Sequence, residues 1–388
     1  MRMTIILAAV LGFGILVGQT VSDILPGSPL AGITAGEFER FRLGMEDFME
    51  VETPSSGLGP AFNATSCAAC HNVPAVGGAG TITEMRAGYR DEYGRFSTPD
   101  GGSLYHLFSV PPHTCQPRIP PEANVIARRI SIPLFGAGLV EAIPDETLIA
   151  LEDPEDRNGD GIRGRAARIH DVATGRERIG RFGWKAQQAT LLAFAGDAYL
   201  NEMGITNDLF PQEAALGVSA EAMRRCDATS DPEDVRDRVT GLRAIDRFEL
   251  FMKFLAPPSR GPVDAAAQRG EQVFAEIGCA GCHIPELRTG PSTNPVFDRK
   301  PVRLFSDLLL HNIGTGDGIE QEAATGDEIR TPALWGLRFR RPLLHDGSAA
   351  TPEAAIRRHD GEASGVREKF LALDLADRAA LLAFLKSL

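Results

Sequence analysis

The chain carries one five-residue pattern twice, as Cys67-Ala-Ala-Cys70-His71 and as Cys279-Ala-Gly-Cys282-His283. No other feature constrains the fold as tightly, because the spacing puts two thiols and an imidazole on a single turn. That is the pattern of covalent haem c attachment: the thiols form thioethers with the two vinyl groups, and the adjacent His ligates the iron. A thioredoxin-like redox pair or half of a zinc site needs only Cys-x-x-Cys, and the His that follows each pair argues against both. The expectation is two covalently bound haem c groups, held by Cys67, Cys70 and His71 and by Cys279, Cys282 and His283.

Haem c attachment and the first residues agree on a compartment. Arg2 precedes an apolar run over residues 3–17, then small and polar residues. Residues 1–22 therefore have the shape of a secretory signal peptide, although no small-x-small cleavage site stands out. The apolar run is shorter than the roughly 20 residues that span a bilayer, so a retained anchor is the alternative. No later segment is apolar enough to cross a membrane, and the expected location is the periplasm. The remaining cysteines, Cys115 and Cys226, form an even pair that an oxidising compartment favours as a disulfide. A net charge of −12 argues against nucleic acid or an anionic membrane surface as partner and suits a basic protein.

The 388 residues suggest two or three domains at about 150 residues each. Thr34 with Glu37 reads as a capping box, and Phe38, Phe41, Met45 and Phe48 share one face of the helix that follows. Residues 191–200 read as helical. A proline-rich stretch over 256–262 is the best linker. Beyond it Asp264 caps a helix with Gly270, Val273, Phe274 and Ile277 on one face. At the chain's end Asp374 caps a helix with Leu381, Phe384, Leu385 and Leu388 on one face. The expected fold is mainly α, with long loops and two cytochrome c-type haem domains, an N-terminal one over 30–256 and a C-terminal one over 263–388.

Three segments carry a family resemblance: Gly57-Leu-Gly-Pro-Ala-Phe-Asn-Ala-Thr-Ser-Cys67, Gly180-Arg-Phe-Gly-Trp-Lys-Ala-Gln187 and Thr331-Pro-Ala-Leu-Trp-Gly336. They resemble the di-haem oxidoreductases, relatives of bacterial di-haem cytochrome c peroxidases and of MauG-type enzymes. In those peroxidases a His-x-Gly turn precedes a distal Met ligand, whereas MauG-type enzymes place a Tyr there. Here His345-Asp346-Gly347 leads, fourteen positions after His345, to His359. The resemblance thus implies a bis-His haem at His283 with His359 as second ligand, on a short helix started by Thr351 and Pro352. A His in place of Met lowers the reduction potential.

The resemblance also implies roles for Trp184, as a relay between the haems, and for Glu202, which aligns with a peroxide-cleaving Glu once two residues are deleted. A carboxylate above an open haem can move the proton between peroxide oxygens. No distal His for the haem at His71 follows at the family's spacing, and His106, His113 and His170 are the alternatives for closing it. Asp156-x-Asn158-x-Asp160-Gly161 opens like a calcium loop, but Ala167 stands where the closing Glu belongs, so a plain polar turn is the rival reading. The leading expectation is an enzyme that reduces hydrogen peroxide at the N-terminal haem. Its electrons come from a cytochrome or cupredoxin donor through the C-terminal haem. A non-enzymatic electron carrier and a MauG-like oxidase or oxygenase are the alternatives.

Overall fold

The computed structural model describes residues 24–111, 113–226 and 235–388. The signal-like segment 1–22 lies outside the described residues, and among them no helix is long and apolar enough to cross a membrane. The architecture is mixed, with 31% helix and 15% strand, which corrects the mainly α expectation. Helical spacing marks only the approaches to the two Cys-x-x-Cys-His turns and the chain's end. Between them prolines and glycines keep runs short, and the backbone groups pair instead through small antiparallel ladders.

The first core joins three helices, Ala35–Met49, Leu191–Met203 and Ala244–Phe254. Thr34 and Glu37 close the expected capping box: the Glu37 amide donates to Thr34 Oγ1 (3.2 Å) and the Thr34 amide to Glu37 Oε2 (2.7 Å). Phe41 and Phe48 are buried against Phe251, at ring-centroid distances of 5.3 and 4.8 Å. Phe38 is instead 48% exposed, because the buried stripe runs through Phe41, Gly44 and Phe48. Gly44 lets the two helices touch: a β-carbon there would collide with the Arg247 carbonyl oxygen.

The largest sheet pairs strand Thr83–Arg90 antiparallel with Val125–Ile130, with the short strands Phe96–Ser97 and Leu104–Tyr105 added on. Its register sets Glu84 opposite Arg129. Since side chains alternate along a strand, Glu84 and Arg86 share a face.

Residues 257–264 contain neither helix nor strand and lead into a second core. There the helix Ala265–Glu276 packs along Leu375–Ser387, with Phe274, Phe305 and Phe384 in edge-to-face contact. Leu381, Phe384, Leu385 and Leu388 are all buried here. The chain between the two crosses back: Leu287, Phe297, Leu304, Leu308 and Trp335 pack into the first core.

Cys115 and Cys226 are bonded, with α-carbons 6.1 Å apart, and tie positions 111 residues apart in sequence. A cross-link that closes so long a loop removes much of the unfolded chain's entropy. Replacing both cysteines with serine should therefore cost roughly 2–5 kcal/mol, read as a lower urea midpoint; an unchanged midpoint would contradict this.

Candidate functional site

Each Cys-x-x-Cys-His pattern forms one tight turn. The 3-10 turns Cys67–Ala69 and Cys279–Gly281 bring both thiols and the following His to one side, with the His71 amide on Cys67 O (3.1 Å) and the His283 amide on Cys279 O (3.0 Å). Each turn faces a cavity of its own, and the two cavities are alike in size. Burial pushes the thiols of Cys67, Cys70 and Cys279 up to about 12, unlike the ready thiolates of a redox pair.

The imidazoles are set for metal ligation. His71 donates from Nδ1 to Gly78 O (2.9 Å) and His283 from Nδ1 to Phe305 O (3.1 Å), which leaves the Nε2 lone pair of each ring for a metal. His359 lines the same cavity as His283 and donates from Nδ1 to Ala355 O (2.8 Å). The His283 and His359 ring centroids are 6.5 Å apart. A ligating nitrogen lies about 2 Å from its metal and its ring centre about 1 Å further back, so two rings sharing an ion stand about 6 Å apart. Thr351 and Pro352 start the short helix that brings His359 there.

The polar lining fits a haem as well. Arg330 and Arg340 line the His283 cavity, and burial lowers each to about 10. Arg330 donates to the carbonyls of Gly183 (2.7 Å) and Thr331 (3.0 Å), while Arg340 Nε has no partner among the described residues. Two buried guanidiniums in a largely apolar cavity suit the carboxylates of a haem's propionates.

The His71 cavity differs in kind. Glu84, Arg86, Arg129, Asp197 and Glu202 line it, and His71 is its single imidazole among the described residues. Glu202 sits at the end of the Leu191–Met203 helix, where Asn63 Nδ2 donates to its Oε2 (2.9 Å). Burial, reinforced by the nearby Glu84 charge, pushes Glu202 up to about 8, and burial pushes Asp197 up to about 6. Arg86 donates to Glu84 (2.8 Å) and Arg129 to Asp317 (2.7 Å). His106, His113 and His170 do not line this cavity. His106 is buried with Nε2 on Asn201 O (2.8 Å), His113 bonds Ser109 Oγ, and His170 is exposed on a hairpin.

Trp184 lines both cavities, and its indole N–H donates to Ile130 O (2.8 Å). The Asp156, Asn158 and Asp160 loop closes on itself: their oxygens accept the amides of Gly161, Asp160 and Ile162. Glu84, Arg129, Arg330 and Arg340 are not marked by any local spacing. Neither is His311, which is buried between Asp307 and Glu362 at 2.8 Å from each and held protonated by them. Glu362 follows His359 closely and also accepts the amides of Arg163 and Asn312, so this ion-paired cluster anchors the segment that presents His359.

Residues 114–388 match the family model described as "Di-haem oxidoreductase, putative peroxidase". The chain belongs to the di-haem oxidoreductase family: it is an oxidoreductase that works with two haems. A comparison with curated proteins finds no match. Among solved structures it is similar to hydrazine synthase of Kuenenia stuttgartiensis, at 14% identity over 98% of this chain and 100% of that one, TM-score 0.44. It is also similar to the diheme peroxidase BthA of Burkholderia thailandensis E264, at 15% identity over 90% and 86%, TM-score 0.44. A MauG-like protein associated with microbial copper homeostasis matches at 20% identity over 72% and 93%, TM-score 0.34.

Proposed function

We propose that this chain is an exported, periplasmic di-haem c peroxidase. In this reading Cys67, Cys70, Cys279 and Cys282 hold the haems as thioethers, hydrogen peroxide is reduced in the His71 cavity, and electrons enter through the His283 cavity. The asymmetry of the two cavities carries the reading. One offers two facing imidazoles and no carboxylate beside them but Glu362, which is engaged with His311. The other offers one imidazole and a half-buried set of acids and guanidiniums. The first suits a closed electron relay, the second a site that admits and protonates a small oxidant.

Bound haem iron would supply the redox chemistry, accepting electrons singly and passing them to peroxide. The chain's residues do the rest. His71 and His283 stay neutral and oriented through their backbone carbonyl bonds. Glu202 presents a neutral carboxyl that can hand a proton to a departing oxygen. Arg86 and Arg129 provide fixed positive charge where negative charge develops. Trp184 bridges the cavities by packing. Export agrees with the Cys115–Cys226 bond, and the acidic net charge suits a basic one-electron donor such as a cytochrome or cupredoxin.

Steady-state oxidation of a reduced cytochrome by the holoprotein with hydrogen peroxide tests this reading, with two donors expected to be consumed per peroxide. Trp184→Phe should slow donor oxidation and leave the spectra of both haems unchanged. A wild-type rate in that variant would take Trp184 out of the electron route.

A further inference from the structure

The Glu202 carboxyl does not face the cavity alone. Glu84 lines the same cavity from the strand Thr83–Arg90, about 120 positions away in the chain, and the two carboxyls lie within hydrogen-bonding reach of each other. Two carboxyl groups can hydrogen-bond each other only when one of them carries a proton. The surroundings decide which one. Glu84 has Arg86 Nε at 2.8 Å and Arg129 Nη1 at 3.9 Å, whereas Glu202 has the uncharged amide of Asn63. The guanidiniums favour the anion at Glu84 and so leave the proton on Glu202.

The geometry points to Glu84 and Glu202 acting as one proton-holding pair, in which Glu84 is the positioning residue that keeps Glu202 protonated and aimed into the cavity. This rests on the peroxidase reading for its use, but the pair exists without peroxide. Reduction of hydrogen peroxide breaks one O–O bond and consumes two electrons and two protons to give two waters. The electrons come from the one-electron donor protein. One proton comes from Glu202, and the second, together with the proton that restores the pair, comes from solvent. While the pair carries two negative charges, Arg86 and Arg129 offset them. Arg129 is 2% exposed and its Nη2 has no partner among the described residues, so a donor is free at the cavity wall.

Every charged group around the pair bears on its titration. Arg86 shares the strand with Glu84, and Arg129 comes from the paired strand Val125–Ile130. Behind Arg129 stand Asp317 and, 3.2 Å from it, the Lys185 ammonium. Asp197 lies on the Glu202 helix, and His106 bonds Asn201 O beside Glu202 and is neutral because burial lowers it to about 4. Cys67 and Cys70 border the same cavity, and as haem thioethers in the holoprotein they do not titrate. Removing the Glu84 anion leaves both guanidiniums acting on Glu202 alone, so its carboxyl must ionise at lower pH.

Infrared difference spectra of the oxidised holoprotein across pH, without peroxide, test the pair directly. The wild type should show a protonated carboxyl stretch at neutral pH that shifts in D2O and is absent in Glu202→Gln. In Glu84→Gln that stretch should vanish at a pH at least one unit lower, a tenfold change in the proton equilibrium, and Glu84→Asp should restore the wild-type titration. The alkaline limb of kcat/KM for peroxide should move down with it. A stretch that titrates identically in wild type and Glu84→Gln would overturn the pair, as would a wild type with no such stretch. If the stretch behaves as expected but no peroxide is turned over, the pair stands and the peroxidase reading fails.

Discussion

Replacing Glu202 with glutamine should lower kcat/KM for hydrogen peroxide by about 10²–10⁴-fold, the usual contribution of a positioned general acid or base. Glutamine keeps the size of the side chain and its place at the end of the Leu191–Met203 helix, and it removes only the proton that the carboxyl can give. A group used in the transition state alone lowers kcat and kcat/KM together, so KM should move little. The wild-type rate should itself fall as pH rises through about 8, where Glu202 loses its proton.

The same residue predicts a stability effect of definite sign. The folded protein holds a proton on Glu202 up to about 8, whereas the unfolded chain releases it near the ordinary value of 4.5. Wherever the native state binds more protons than the unfolded state, stability falls with rising pH. The contribution is complete below 4.5 and lost as pH climbs toward 8, and Glu202→Gln should remove that slope. A variant that loses activity yet gains relative stability at high pH has lost chemistry rather than its fold.

His359→Ala should convert the haem held by His283 from a six-coordinate low-spin centre to a high-spin one, with the haem held by His71 unaffected. The 6.5 Å spacing of the two rings and the Nδ1 bond of His359 to Ala355 O leave its Nε2 for the metal. Alanine offers no ligand, no Met lines that cavity among the described residues, and of its other imidazoles His311 is held between Asp307 and Glu362 while His345 packs edge-on against Trp184. The absorption and EPR spectra of the variant are the check. A low-spin signal of unchanged intensity would show that another group ligates the iron.

Local signals read well from the sequence. The caps at Thr34, Asp264, Thr351 and Asp374 all accept the expected amide bonds. For the residues that the family resemblance singled out, the geometry is that His359 and His283 have ring centroids 6.5 Å apart and that Trp184 lines both cavities. What stayed hidden depends on pairing across distance. Glu84 meets Arg129 through strand register and Glu202 through tertiary packing, and neither leaves a spacing to read. The two-residue strands are too short to show alternation, which is why a chain with clear helices at both haem turns was expected to be mainly α. Phe38 misled for a related reason: aromatic periodicity marks a face, but Gly44 shows where the neighbouring helix touches.

Low-temperature EPR of the fully oxidised holoprotein tests the central claim most directly, because it counts high-spin and low-spin iron separately. The account predicts one high-spin signal, from the open site at His71, and one low-spin signal of equal spin count, from the site shared by His283 and His359. Two low-spin signals in the oxidised protein, with the haem that stays ferric after one-electron reduction still low-spin, would contradict it and make the chain an electron carrier.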